Sequence, residues 1–257
     1  QGVSVQFVGH AQTTATSKVV LLVQNGEAVD LAGAGSDVEI VTESTPFYGE
    51  AGGQVGDSGR ISSSDLEVEV TDTVKDPTGL IIHKGRILSG RIKTGQTVTL
   101  SVDSEKRRAT QRNHTATHIL HAVLRSVLGD HVKQAGSVVA PDRLRFDFSH
   151  FTQVSTEKLA EVERLVNAHI RENLPLHTKE MSKEEAMKTG AMAIFEERYG
   201  EKVRLVRIGE GTSMELCGGP FPGPMELCWV VPGLSSEGVV TSSGALLGEG
   251  GIGFSSE

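Results

Sequence analysis

Short apolar runs alternate with turn residues over the first hundred positions, and this pattern predicts a domain of β-strands. Residues 19–23 precede Asn25-Gly26, a strong signal for a two-residue hairpin turn. Comparable runs follow at residues 38–41, 66–70 and 97–102. Several short strands at such spacing are typical of a small barrel or a sandwich.

From about residue 105 the apolar positions follow helical spacing instead. A stripe from Ile119 to Leu128 ends at Gly129, and Asn113 is the expected N-cap, which would place His114 and His118 in the first turn. The pattern predicts a second amphipathic helix over 155–173 and a third, short helix that a capping box opens at 182–185.

Strand patterns recur between these helices, and they change the expected class of the second domain. They lie at residues 137–140, 144–148, 203–208 and 214–217. Strands mixed with helices packed on one side predict an α+β domain. We therefore expect a β domain over 1–104, an α/β domain over 105–219, and a divergent Pro/Gly-rich tail over 220–257 with no Lys or Arg.

Composition narrows the functional classes. The chain has 257 residues, 37% hydrophobic and 23% charged, with a net charge of −8. Such a balance is that of a soluble globular protein and argues against indiscriminate nucleic-acid binding. The sequence shows no apolar run of membrane-spanning length and no secretory signal, and two cysteines cannot build a disulfide framework. We expect a cytoplasmic protein that does not engage membranes.

The candidate chemistry starts with His114 and His118, whose four-residue spacing places both rings on one helical face. Imidazole pairs in this arrangement suit zinc, although a structural pair of histidines has the same pattern. His121 falls on the apolar stripe, so we expect it in the core. The remaining histidines are expected at the surface: His10, His83, His131, His150, His169 and His177.

Two further features have both a structural and a functional interpretation. A basic cluster precedes the histidines, and it is either a solvated helix face or a contact for RNA phosphates. The cluster comprises Lys106, Arg107, Arg108 and Arg112. The glycine-rich loop 49–59 is either a surface loop or, through Gly52 and Gly53, a place where a ligand approaches the backbone closely.

Five stretches together resemble the editing domain of alanyl-tRNA synthetase and its free-standing relatives, the AlaX proteins. They lie in the family's order at residues 45–54, 113–118, 134–137, 144–150 and 215–219, within a match that covers roughly 17–219. The resemblance implies an α+β fold, with an N-terminal small β-barrel followed by an α/β zinc-binding editing domain. It also implies hydrolysis of tRNA(Ala) that carries serine or glycine at its acceptor end.

The resemblance also implies roles for particular residues. His114, His118 and Cys217 match zinc ligands, and Gln134 matches a glutamine of the editing pocket, with Thr115 and Thr117 on the same helical turn. The family's fourth ligand is a histidine four residues after the cysteine, and this chain has Phe221 at that position. Cys228 is an alternative fourth ligand.

The chemistry of editing explains why these residue types would serve. A zinc ion with three protein ligands leaves a coordination position for water, whose pKa falls to about 7. A synthetic site for alanine cannot strongly reject glycine or serine, since one missing methyl is worth only about 1–3 kcal/mol. Hydroxyls and an amide from Thr115, Thr117 and Gln134 could instead select the serine hydroxyl in a second pocket.

Three functions therefore stay open from the sequence. The favoured one is an aminoacyl-tRNA deacylase, either part of a larger alanyl-tRNA synthetase or acting alone in trans. A start at Gln1 without a methionine, and no length for an upstream class II catalytic domain, favour the fragment. The first alternative is a non-catalytic tRNA-binding module with a degenerate metal site. The second is a zinc-dependent hydrolase of a small ester or amide.

Overall fold

The structure is a computed structural model, and it describes residues 4–191, 201–220 and, as backbone only, 248–255. Phe221 and Cys228, the residues considered for the fourth ligand position, lie outside this part of the chain. The chain divides into two compact units between Ala109 and Thr110. None of the described helices is long and apolar enough to cross a membrane.

The first unit contains eleven described strands. In chain order they are β1 (Gln6–Phe7), β2 (Thr14–Gln24), β3 (Glu27–Ala28), β4 (Leu31–Gly33), β5 (Asp37–Thr42), β6 (Ser44–Thr45), β7 (Gly59–Ser62), β8 (Glu67–Lys75), β9 (Ile81–Ser89), β10 (Arg91–Lys93) and β11 (Thr97–Val102). Six of them form a closed antiparallel barrel in the order β11-β7-β8-β9-β5-β2, which closes where β11 pairs with β2. The prediction of a small β-barrel is confirmed.

Alternation along the barrel strands fills its interior with branched apolar side chains. In β11, Val98, Leu100 and Val102 are buried while the residues between them are more exposed. The predicted hairpin joins β2 to β3, where Asn25 and Gly26 both have positive φ angles of 53° and 81°, as a type I′ turn requires.

One buried histidine in the barrel corrects the expectation that it lies at the surface. His83 on β9 is fully buried, with Nδ1 2.8 Å from the Ile40 carbonyl oxygen and Nε2 2.7 Å from Thr45 Oγ1. An imidazole with both nitrogens hydrogen-bonded can be buried at little cost, and no sequence pattern indicates those two partners.

The second unit combines helices with two three-stranded sheets. Its elements are β12 (Lys133–Val139), β13 (Arg143–His150), α2 (Thr156–Arg171), β14 (Leu176–Ser182), α3 (Lys183–Lys188), β15 (Lys202–Ile208), β16 (Ser213–Leu216) and β17 (Gly248–Ser255). Helix α1 (Ser104–Leu128) begins in the first unit and continues into this one. The sheets have the orders β12-β13-β17 and β14-β15-β16, and all pairings are antiparallel.

The main core of this unit lies between the two long helices and β13. Phe146 and Phe148 of β13 are fully buried with Leu120 and Leu124 of α1 and Val166 of α2. The mixed α+β class is confirmed. The predicted capping box is also present, since Ser182 Oγ accepts from the Glu185 amide and the Glu185 carboxylate accepts from the Ser182 amide.

Helix α1 starts nine residues earlier than the expected N-cap, so that prediction was wrong. Asp103 Oδ1 accepts hydrogen bonds from the amides of Glu105 and Lys106 at 3.1 Å, which is the capping contact. Residues 104–112 are mostly good helix formers, so the helix extends back to this aspartate. Asn113 lies inside the helix, where its side-chain amide donates to the Ala140 carbonyl at 2.7 Å.

Strand β17 is a further element that the sequence did not predict. It pairs antiparallel with β13, with Gly250 opposite Phe148 and Ile252 opposite Phe146. Glycine is depleted in strands because it loses much conformational freedom there, so this glycine-rich segment carries no strand signal.

Candidate metal centre

The candidate centre forms where helix α1 faces the end of strand β16. His114, His118 and His121 are spaced four and three residues apart, so their side chains share one face of the helix, and all three are buried. Strand β16 contributes Glu215, and Cys217 is the first residue after the end of that strand. The Cys217 amide donates to the Arg204 carbonyl at 3.0 Å and so continues the pairing with β15. Residues two apart point to one side of a strand, so Glu215 and Cys217 both face the helix.

Three of these side chains bring ligand atoms close together. Cys217 Sγ lies 3.2 Å from His114 Nε2, and the His114 and His118 rings stack with their centroids 5.2 Å apart. The ligand atoms of His114, His118 and Cys217 lie within 4.8 Å of one another. Within the described ranges, no other group of three or more His, Cys, Asp and Glu residues converges in this way.

The sulfur of Cys217 is prepared to act as a ligand. Desolvation raises the pKa of the thiol, but the neighbouring His114 and His118 outweigh it and leave that pKa well below its ordinary value. A thiolate and two imidazole nitrogens are the ligand types that zinc prefers. The residues present therefore fit a zinc ion through three protein ligands.

Glu215 is a buried residue of this centre that the sequence did not single out. Its carboxylate accepts from Nδ1 of His118 through one oxygen, and its other oxygen lies 2.8 Å from Nδ1 of His121. Burial raises the pKa of Glu215, but these two imidazoles outweigh it and hold the pKa near 2. Burial lowers the pKa of His118, but Glu215 and Cys217 together outweigh it and raise that pKa. The available signal was its position two residues before Cys217.

The predicted pocket residues occupy the same unit. Thr115 and Thr117 are buried on α1, and their hydroxyls donate to the carbonyls of Gln111 and Asn113 at 3.1 and 2.8 Å. Gln134 stands on β12 beside a bulge between Gln134 and Gly136, and its amide donates to Ser137 Oγ at 3.0 Å. Both threonine oxygens and the Gln134 carbonyl oxygen retain acceptor capacity.

The basic cluster separates into one buried residue and three that are at least partly accessible. Arg107 is 2% exposed, and its guanidinium contacts the Asp57 carboxylate and donates to the carbonyls of Gly9 and Pro46 at 2.9 and 2.8 Å. Its charge is therefore neutralised inside the first unit, and the residue has a structural role there. Lys106 and Arg108 are exposed, and Arg112 is partly exposed.

The glycine-rich loop belongs to the first unit, where its conformation requires glycine. Gly52 and Gly53 have φ angles of 62° and 84°, and they form a tight turn closed by the Ala51–Gln54 bridge. A Cβ atom at Gly52 would meet nothing within 4 Å, so the left-handed backbone, rather than crowding, explains this glycine.

Comparisons with known proteins agree with one another on the kind of enzyme to which the chain is similar. A family model described as class II tRNA synthetases (A) matches residues 3–106. The alanine–tRNA ligase of Desulfosudis oleivorans is 49% identical over 260 residues, which cover 100% of this chain and 30% of that ligase. The alanine–tRNA ligases of Anaeromyxobacter dehalogenans and Xanthomonas campestris are 53% and 51% identical, over 84% and 83% of this chain and 24% of each ligase. The chain thus spans less than a third of the relatives it matches.

Proposed function

We propose that this chain is the editing part of an alanine–tRNA ligase and that it hydrolyses the ester of tRNA(Ala) mischarged with serine or glycine. The single observation that carries the proposal is the convergence of His114, His118 and Cys217, with ligand atoms within 4.8 Å. Similarity to alanine–tRNA ligases along the whole chain supports the choice of substrate class. Such an enzyme part would act in the cytoplasm, where proteins are made.

His114, His118 and Cys217 would hold a zinc ion in this centre. When bound, zinc supplies a Lewis acid that polarises a carbonyl group and acidifies water near neutral pH. The two imidazoles are buried and the Cys217 thiol is partly exposed, and low-dielectric surroundings strengthen electrostatic interactions with a developing oxyanion.

Neutral polar side chains on α1 and β12 would recognise the serine. Thr117 lies about one helical turn after His114 on α1. Its hydroxyl group donates to the Asn113 carbonyl, and the hydroxyl oxygen can accept a further hydrogen bond. We propose that Thr115, Thr117 and Gln134 offer such acceptors to the hydroxyl of a bound serine. A pocket that pairs a hydroxyl favours the substrate that carries it.

The RNA would be held by positive charge at the start of α1. We assign this contact to Lys106, Arg108 and Arg112. Arg107 is left out because it is buried in an ion pair with Asp57. Each phosphate contact to single-stranded RNA contributes a slope of roughly −0.7 in log affinity against log salt. We also propose that Gly52 and Gly53 approach the terminal adenosine of the tRNA.

The test is release of serine from Ser-tRNA(Ala) by the full chain with zinc supplied. We expect hydrolysis by the native chain and its loss in His114→Ala and Cys217→Ala. His177→Ala is a matched control, since His177 is exposed on β14. Equal deacylation by all three variants would refute the metal mechanism. Salt-dependent tRNA binding without any turnover would instead favour a non-catalytic binding module, and activity on RNA-free esters alone would favour a small-molecule hydrolase.

A further inference from the structure

We propose that Glu215 is a positioning residue that fixes the proton of His118 on Nδ1 and thereby presents Nε2 of that ring as a metal ligand. The inference rests on the metal-binding part of the proposed function. It concerns hydrogen bonds within the protein, so it can be tested on zinc-free protein as well.

The Glu215 carboxylate determines where the neighbouring imidazole rings carry a proton. An ionised carboxylate only accepts hydrogen bonds, whereas each imidazole nitrogen either donates or accepts. Glu215 contacts Nδ1 of His118 with one oxygen and Nδ1 of His121 with the other, so both rings must carry a proton on Nδ1. A neutral ring protonated there keeps its lone pair on Nε2, which is the nitrogen left for a metal.

His121 fixes the orientation of the Glu215 carboxylate. His121 is 1% exposed, and its ring packs against Phe146 with centroids 5.2 Å apart, so it cannot rotate freely. Its Nδ1 holds one oxygen of Glu215 at 2.8 Å, which turns the other oxygen toward His118. His121 therefore serves the centre without being a ligand, because it keeps Glu215 aimed at the ring that is one.

The end of strand β16 supplies both the positioning group and, directly after the strand, the ligand. Glu215 and Cys217 are two residues apart and meet the helix at positions separated by one turn: Cys217 at His114, and Glu215 at His118. Outer hydrogen-bond partners of metal ligands set ring orientation and basicity, and their loss typically lowers metal affinity by about 10–100-fold.

The central variant is Glu215→Gln, which keeps the shape and removes one acceptor. A glutamine amide has one acceptor oxygen and one donor nitrogen, so only one of the two histidines can still donate from Nδ1. We expect zinc affinity, measured by competition with a chromophoric chelator, to fall by about 10–100-fold. Glu210→Gln is the matched control, since Glu210 is an exposed carboxylate in the turn before β16, and it should leave the affinity within twofold.

A second variant separates positioning from simple packing. In His121→Phe, Glu215 loses the contact that orients its carboxylate, so we expect zinc affinity to fall, although by less than in Glu215→Gln. Both changes act through the same carboxylate, so the double variant should lose little more than Glu215→Gln alone. If the two residues only fill space, the two losses would add in the double variant, and that result would overturn the proposal.

A third measurement does not depend on metal or on activity. Nitrogen-15 NMR of the zinc-free native chain should show a proton on Nδ1 of both His118 and His121, whether or not the His118 ring also carries one on Nε2. In Glu215→Gln one of the two rings should lose its Nδ1 proton. A native His118 protonated on Nε2 alone would refute the role of Glu215. Failure of the native chain to bind zinc would refute the metal centre of the proposed function, while the proton positions would still decide what Glu215 does.

Discussion

The two units use buried polar side chains in opposite ways. In the first unit, Arg107 and Asp57 are paired, and the arginine also donates to two backbone carbonyls. His83 of the barrel is hydrogen-bonded at both ring nitrogens. In the second unit, the buried groups of α1 and β16 direct two imidazoles and a thiolate toward one another. Buried polar side chains whose hydrogen bonds are satisfied within the protein stabilise a fold. Buried polar side chains whose ligand atoms point toward one another indicate a binding site.

The largest expected effect is on the stability of the first unit. Arg107→Met leaves the Asp57 carboxylate buried without its cationic partner, and breaking a buried ion pair costs about 3–5 kcal/mol. Chemical denaturation should show this loss of unfolding free energy. Arg108→Met, one residue along and exposed, should change it by less than about 0.5 kcal/mol. Similar values for the two variants would show that Arg107 is a surface residue after all.

The second prediction uses the pH dependence of barrel stability. Burial lowers the pKa of His83 from 6.5 to about 4, so the unfolded chain binds a proton there before the folded one does. The free energy of unfolding is therefore highest above pH 6.5, and it decreases by about 3 kcal/mol as the pH falls from 6.5 to 4. The difference in unfolding free energy between pH 7 and pH 4 should shrink by that amount in His83→Gln. In His10→Gln, at an exposed position, it should not change.

The third prediction concerns the other unit, where stability should depend on metal. Zinc at about 100 times its dissociation constant should raise the unfolding free energy by about 2.7 kcal/mol if it binds only the folded state. The increase should appear in the transition of the second unit and vanish in Cys217→Ala. An equal increase in Cys217→Ala would place the metal elsewhere.

The smallest expected effect separates stability from function at one residue. Thr117→Val removes a hydroxyl whose acceptor, the Asn113 carbonyl, lies within the helix. An apolar group of the same shape should change the unfolding free energy by less than about 0.5 kcal/mol. Hydrolysis of Ser-tRNA(Ala) should nevertheless slow more than that of Gly-tRNA(Ala), as parallel deacylation assays would reveal. Equal slowing of both substrates would remove Thr117 from serine recognition.

Local signals predicted a good part of this molecule. The Asn25-Gly26 turn, the capping box at Ser182 and the shared face of His114 and His118 each depend on residues within four positions of one another. Such features follow from backbone geometry and side-chain spacing, which a single sequence displays directly.

Long-range contacts explain what the sequence did not reveal. Glu215 meets His118 across 97 positions, and Arg107 meets Asp57 across 50. Nothing local distinguishes a buried, paired arginine from its solvated neighbours in a basic run. Asn113 has the right residue type for an N-cap, but the helix-forming residues before it carry the helix back to Asp103.

Strand β16 has a consequence for how the centre can be damaged. Its pairing with β15 sets Val206 opposite Glu215 and Leu205 opposite Leu216. A slip of one residue would rotate both Glu215 and Cys217 away from the histidines and present Leu216 in their place. A one-residue slip of this hairpin would therefore abolish the centre completely. A slip of two residues would keep the same face of β16 toward the histidines, but different residues would lie opposite them.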